Sequence, residues 1–174
     1  MPVNFRRKTV LDALEGGPSV WALGSGSIGV WTQNGVTAEN ERVNGTDPWG
    51  DPAIVWETRP NGSDDGDGGW NSDYITLDKH KTYRFSVWVK RTTAATDGTF
   101  YFGLTGEGAH IRNVYNGAEN TNPYWSYNAH TNFTLNVWYL YVGHVFPVEY
   151  HSDSDGYQVD LHPNTGVWTR AGGR

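Results

Sequence analysis

The chain has 174 residues and a formal net charge of -6 at pH 7, with a pI near 5.4. That length suits one domain able to bury roughly 70% of its unfolded surface. The charge argues against a nucleic-acid partner, which needs a basic stripe to displace counterions. The lack of cysteine removes disulfides, thiolate nucleophiles and thiolate metal ligands.

No apolar run reaches the ~18 residues of a membrane span, and the first twenty residues lack the apolar core of a signal peptide. If the domain leaves the cell, another route is expected, such as lysis or fusion to an upstream segment. Nine Trp, ten Tyr and 22 Gly stand beside a single Met. This bias points to an all-β chain. It is also the bias of sugar-binding proteins, because Trp and Tyr offer an apolar face and a polar tip. The alternative is that the aromatics fill a sandwich core.

Residues 1–19 form a short N-terminal arm. It carries Arg6-Arg7-Lys8, then the apolar Val10, Leu11 and Leu14. Thr9 and Asp12 resemble a capping pattern for at most one or two helical turns, which Gly16-Gly17-Pro18 stops. The arm reads either as an anchor that packs on a partner or as a frayed terminus.

Residues 20–174 read as strand, turn, strand. A short strand is expected near Ile28 to Trp31, then others at Ala53 to Thr58 and Tyr74 to Leu77. Lys81 to Arg91 has the clearest period of two. Tyr83, Phe85, Val87 and Val89 share one face, and Arg84, Ser86, Trp88 and Lys90 share the other, where Trp88 stands among polar residues. Further strands are expected at Thr99 to Leu104 and His110 to Tyr115. Asn136 to Val145 is apolar on both faces, as a central strand covered on both sides would be. In it, His144 reads as a packed core histidine. Gln158 to Leu161 and Val167 to Thr169 complete the set.

Asn34-Gly35, Asn44-Gly45, Asn61-Gly62, Asp97-Gly98, Asn116-Gly117 and Asp155-Gly156 mark turns between these strands. Short strands so punctuated predict a jelly-roll β-sandwich. The end at Gly172-Gly173-Arg174 follows directly on a strand, as expected of a fragment of a longer protein.

The loop Asn61 to Asp73 supplies Asp64, Asp65, Asp67 and Asp73. Hard oxygen ligands on a Gly-rich loop suit Ca2+, although the pattern is not an EF-hand. A solvated acidic loop is the alternative. Trp70 follows the carboxylates. Tyr124 and Trp125 sit in a long loop near His110 and His130. Aromatics flanked by Asn, Asp and His fit a carbohydrate site built from Trp70, Tyr124, Trp125 and His110. Tyr124 and Trp125 could equally fold inward and cap the sandwich. Trp88, with Arg84 and Lys90, offers a separate shallow platform, unless another strand or subunit covers that face.

An enzyme is not expected. A glycosidase needs two opposed carboxylates, and Glu39, Glu41, Glu57, Glu107 and Glu119 stand in no distinctive context. The histidines lack a metal-ligand spacing such as H-E-x-x-H.

DPWGDPAIVWET (residues 47–58), GGWNSD (68–73), KTYRFSVWVKR (81–91) and GTFYFGL (98–104) together resemble a carbohydrate-binding-module-like jelly roll. Similar domains occur in tail-fibre and other appendage proteins of bacteriophages. Asn136 to Val145 resembles their late strand, so the resemblance spans roughly Trp31 to Val145.

It implies a non-catalytic virion protein that recognises a glycan or host-surface polymer, or decorates the particle. Its arm would dock on other virion proteins, and a homotrimer is the natural state of a fibre. Two alternatives stand beside it. One is an accessory, extracellular sugar-binding module of a polysaccharide-degrading enzyme. The other is a purely structural capsid or tail component.

Overall fold

In a computed structural model, the structure describes residues 22–59, 68–93, 99–106, 111–114, 116–120, 123–128, 134–150, 157–159 and 164–172. The N-terminal arm and the segment bearing Asp64, Asp65 and Asp67 lie outside these residues. Among those described there is no α-helix, only strands and one 3-10 turn, Thr37–Glu39. The all-β expectation holds.

In chain order the strands are β1 (Gly24–Ser25), β2 (Trp31–Gln33), β3 (Asn40–Thr46), β4 (Pro52–Thr58), β5 (Trp70–Ser72), β6 (Ile75–Thr76) and β7 (Tyr83–Lys90). Then follow β8 (Thr99–Gly106), β9 (Ile111–Asn113), β10 (Tyr124–Asn128), β11 (Trp138–Phe146), β12 (Tyr157–Val159) and β13 (Asn164–Gly172). They form three sheets. One has the order β1-β3-β4, and one runs β10-β8-β13-β5-β2 with β6 beside β13. The third has the order β7-β11-β12-β9. All ladders are antiparallel except the short parallel pair β11–β12.

The four-stranded and six-stranded sheets face each other across the core. Phe85, Ile111 and Val145 come from the former, Phe102 and Leu104 from the latter, and Leu77 from the connection before β7. Each of these side chains is at most 4% exposed, so each adds about 2 kcal/mol of apolar transfer energy.

Trp125 joins the two layers. The β8–β10 register shifts between Tyr124 and Ser126, a bulge that falls at Trp125 and re-aims it. Its ring stacks on Phe85 at 5.4 Å and meets Phe102 at 5.0 Å. Its Nε1–H donates to the His144 carbonyl at 3.1 Å. Gly143 lies beneath, and a Cβ there would run into the indole.

A second cluster ties the three-stranded sheet to β2 and β5. Trp56 stands edge-on to Trp31 at 5.6 Å and to Trp70 at 4.7 Å. The buried Arg42 donates to the carbonyls of Ala22 and Gly26, with its guanidinium 5.8 Å over Trp56. Asn40 is fully buried and well bonded. Its amide donates to the Asn34 and Val36 carbonyls and its Oδ1 accepts from Gly69 N–H. Burial of such a group is tolerable only with these partners in place.

Three sequence expectations change. Asn44-Gly45 is not a turn: both residues lie within β3, and Gly45 is needed because a Cβ would come within 2.7 Å of Val55. The loop holding Tyr124 and Trp125 is a strand. β13 is nine residues long, not three, because pairing with β8 on one side and β5 and β6 on the other overrides its weak β-formers.

Gly143→Ala is expected to cost about 3 kcal/mol, as overpacking does. In Trp125→Ala/Gly143→Ala the two costs should fall well short of adding, because both act on one contact. Denaturant unfolding of the three variants measures this. Full additivity contradicts the arrangement.

Candidate functional site

The register of β7 and β11 sets which side chains face outward. Opposite residues share a face. The outer rows are Arg84 with His144, Ser86 with Val142, Trp88 with Leu140, and Lys90 with Trp138. The inner rows carry Tyr83, Phe85, Val87 and Val89 against Val145, Gly143, Tyr141 and Tyr139.

A strand covered on both sides was expected here. Instead Leu140 and Val142 are each 38% exposed. β11 is central by hydrogen bonding, with β7 and β12 as neighbours, yet its outer face is only partly covered. His144 belongs to the outer face, half-buried with its ring 5.8 Å from Phe146, and is not a core residue.

The outer face gains a wall from the β3–β4 turn. The Asp47 carboxylate accepts from the Trp49 and Asp51 N–H groups, both at 2.9 Å. Gly50 sits at φ 93°, a conformation that favours glycine. This turn holds Trp49 out, 72% exposed, with its ring 5.8 Å from Trp88 at an interplanar angle of 72°. Two indoles at nearly right angles form an aromatic corner. Beside it the Lys90 ammonium rests 4.8 Å over the Trp138 ring, a cation–π contact. At the far end Phe146 stacks on Tyr150 at 4.5 Å.

The residues expected to bind do not converge. Trp88 lies in the corner just described. Trp70 is 2% exposed, its faces packed in the Trp56 cluster and its Nε1–H donating to the Gly26 carbonyl at 3.3 Å, so no ligand can stack on it here. Trp125 has folded inward. Tyr124 lies on β10 against Tyr101, at 4.9 Å, in the other sheet. His110 lies outside the described residues.

Of the calcium candidates, Asp73 is exposed, and its backbone N–H donates to the Val30 carbonyl at 2.7 Å. No cluster of metal-ligating side chains occurs among the described residues. Glu39 is buried where residues 59 and 68 meet. Its carbonyl accepts from Arg59 N–H and its Oε2 from Val36 and Gly68 N–H. Its Oε1 has no hydrogen-bond partner among the described residues.

Sequence reasoning missed Trp49 and Trp138 as site residues. Trp49 had a usable signal, since D-P-W-G is a turn and an aromatic at a turn tip has little core to enter. Trp138 was absorbed into a strand assumed to be covered.

Comparison with protein-family models, curated proteins and solved structures finds no match for this chain. The chemistry of the outer face is its own guide. That face offers flat apolar surfaces next to cations and hydrogen-bonding groups, and it lies open to solvent.

The turn feeding β7 has its own electrostatics. The His80 N–H, and after it Lys81, holds the Asp78 carboxyl below its ordinary value of 3.8. Glu149 is held below 4.5 by its own backbone N–H first and then by the His80 ring. Both carboxylates therefore favour the folded state above their ordinary values, and that contribution is lost as the pH falls through the depressed ones. Because both are exposed, the effect is small. An NMR titration of Lys81→Ala should find Asp78 still depressed, since the first cause is a backbone donor. A full return to the ordinary value contradicts that ordering.

Proposed function

We propose that this chain is a non-catalytic carbohydrate-binding module that holds a saccharide on the outer face of β7 and β11. The observation that carries the reading is the corner made by Trp49 and Trp88. An exposed indole costs solubility and gains nothing from burial, and here the exposed Trp49 is fixed edge-on, at 72°, to a half-buried Trp88 on the outer face. Indole faces suit the C–H faces of pyranose rings, and the nearby Ser86, Arg84, Lys90 and His144 suit hydroxyls and their substituents.

The wider setting rests on the sequence resemblance. In it the domain is a jelly roll on a bacteriophage virion appendage, residues 1–19 dock on other virion proteins, and the assembly is a homotrimer that contacts the host surface. Calcium belongs to the same proposal. Glu39 Oε1, buried and without a hydrogen-bond partner among the described residues, next to residues 59 and 68 that flank the segment with Asp64, Asp65 and Asp67, supports it. Millimolar calcium is then expected to raise the melting temperature by a few degrees, reversibly with EDTA. An unchanged melting curve counts against calcium.

A second reading is favoured by one observation. Leu140 and Val142 expose aliphatic surface next to the corner, which suits a neighbouring subunit as well as a sugar. In that case the protein is a structural particle component.

Binding to a broad glycan array and to host cells separates the readings. Trp49→Ala and Trp88→Ala should each weaken glycan binding by about 2 kcal/mol, roughly thirtyfold, at unchanged melting temperature. Trp70→Ala should lower the melting temperature instead. Binding that survives loss of both Trp49 and Trp88 overturns this site.

A further inference from the structure

The whole chain is acidic, with a net charge of -6, yet the outer rows of β7 and β11 carry Arg84, Lys90 and His144 and no carboxylate. The register continues across the sheet. Phe146 pairs with Gln158, and Gln158 with Arg112, so Arg112 shares that face. Among the described residues, three of the carboxylates bordering it are engaged, while Asp51, in the same turn as Asp47, is exposed. Asp47 is bound by its own turn, Glu149 by His80 and Glu119 by Arg112 at 4.0 Å. Arg84 is exposed and has no ion-pair partner among the described residues. Lys90 is turned onto Trp138 by the cation–π contact, which keeps its ammonium over the face.

From this arrangement we infer that the saccharide is anionic, a uronic-acid-type chain whose carboxylates meet Lys90 and Arg84 while its rings lie against Trp88 and Trp49. The inference rests on the sugar-platform reading and specifies its ligand. Lys90 lies two residues from Trp88 on the same face, about 7 Å along the strand. A carboxylate on a ring seated in the corner comes within reach of that ammonium. Arg84 lies about 20 Å from Lys90 along β7, far enough to engage a later unit of the same chain. Its planar fork matches a carboxylate in two parallel hydrogen bonds. The positive face also concentrates an anionic polymer against the field of an otherwise acidic molecule.

The test is calorimetric titration of the full chain with oligogalacturonate, its methyl ester, hyaluronan, polysialic acid, phosphorylated dextran and neutral glucan oligosaccharides. Binding of at least one carboxylated probe is expected, weaker by roughly tenfold at ~0.5 M than at ~0.05 M salt. Lys90→Gln and Arg84→Gln should each cost on the order of tenfold against that probe, with unchanged melting temperature. Methyl esterification should abolish the charge-dependent part.

Neutral glucans or the methyl ester binding as well as the acids, without salt dependence, overturns the anionic inference and leaves the sugar platform standing. Preference for the phosphorylated dextran overturns the carboxylate assignment. No binding to any saccharide contradicts the platform itself and the inference with it. A stable oligomer dissociated by Leu140→Asp overturns both, because a second copy then covers the face.

Discussion

The stacking of Trp125 between the layers governs the rest of the molecule. Its indole leaves the β10 bulge, lies on Phe85, and needs a flat floor at Gly143. Strand side chains alternate faces with a period of two, so fixing Gly143 inward fixes every residue of β11. Tyr139, Tyr141 and Val145 must then face the core with it. Trp138, Leu140, Val142, His144 and Phe146 must face out. The exposed strip is thus a consequence of inner packing. A slip of one residue would place His144 where the indole now lies and bury the apolar strip.

The outer face gains shape from the second cluster. Arg42, Trp56, Trp31 and Trp70 bind the three-stranded sheet to the edge of the six-stranded one. That contact fixes the β3–β4 hairpin, whose Asp47–Gly50 turn carries Trp49 across to Trp88. Tryptophans therefore do two jobs here. Trp31, Trp56, Trp70 and Trp125 fill space, whereas Trp49 and Trp88 remain at the surface, next to a Trp138 that seats a lysine. The charge pattern follows the same division, with Arg84 open on the outer face, Lys90 held over Trp138, and Asp47, Glu149 and Glu119 tied down in turns and pairs.

How much of this was legible varied with the length scale. The alternation of Tyr83 to Lys90 disclosed β7 and both its faces, because period two survives wherever one face is buried. Asn34-Gly35 and Asn116-Gly117 disclosed turns through the positive φ of Gly35 and Gly117. Asn44-Gly45 misled because its glycine serves a close approach to Val55, not a turn. The run from Trp138 to Phe146 was recognisable as a strand, but hydrophobicity on both faces cannot distinguish a covered strand from a half-open one. The bulge at Trp125 shifts the phase of β10, so its inward aromatic was hidden in what reads as a polar loop. The D-P-W-G turn marks Trp49 as open, but no local pattern marks Trp70 as enclosed, since its burial depends on contacts with Trp56 and Gly26, far away in sequence.

The central claim is that a saccharide meets the Trp49–Trp88 corner and not the enclosed tryptophans. Indole N–H resonances of uniformly labelled protein, assigned by single Trp→Phe variants and followed while a bound saccharide is titrated, test this most directly. The account predicts progressive, saturable shifts for Trp49 and Trp88, a smaller one for Trp138, and stationary signals for Trp31, Trp56 and Trp70. Shifts confined to Trp70 and its neighbours, with Trp49 and Trp88 unmoved, would contradict it.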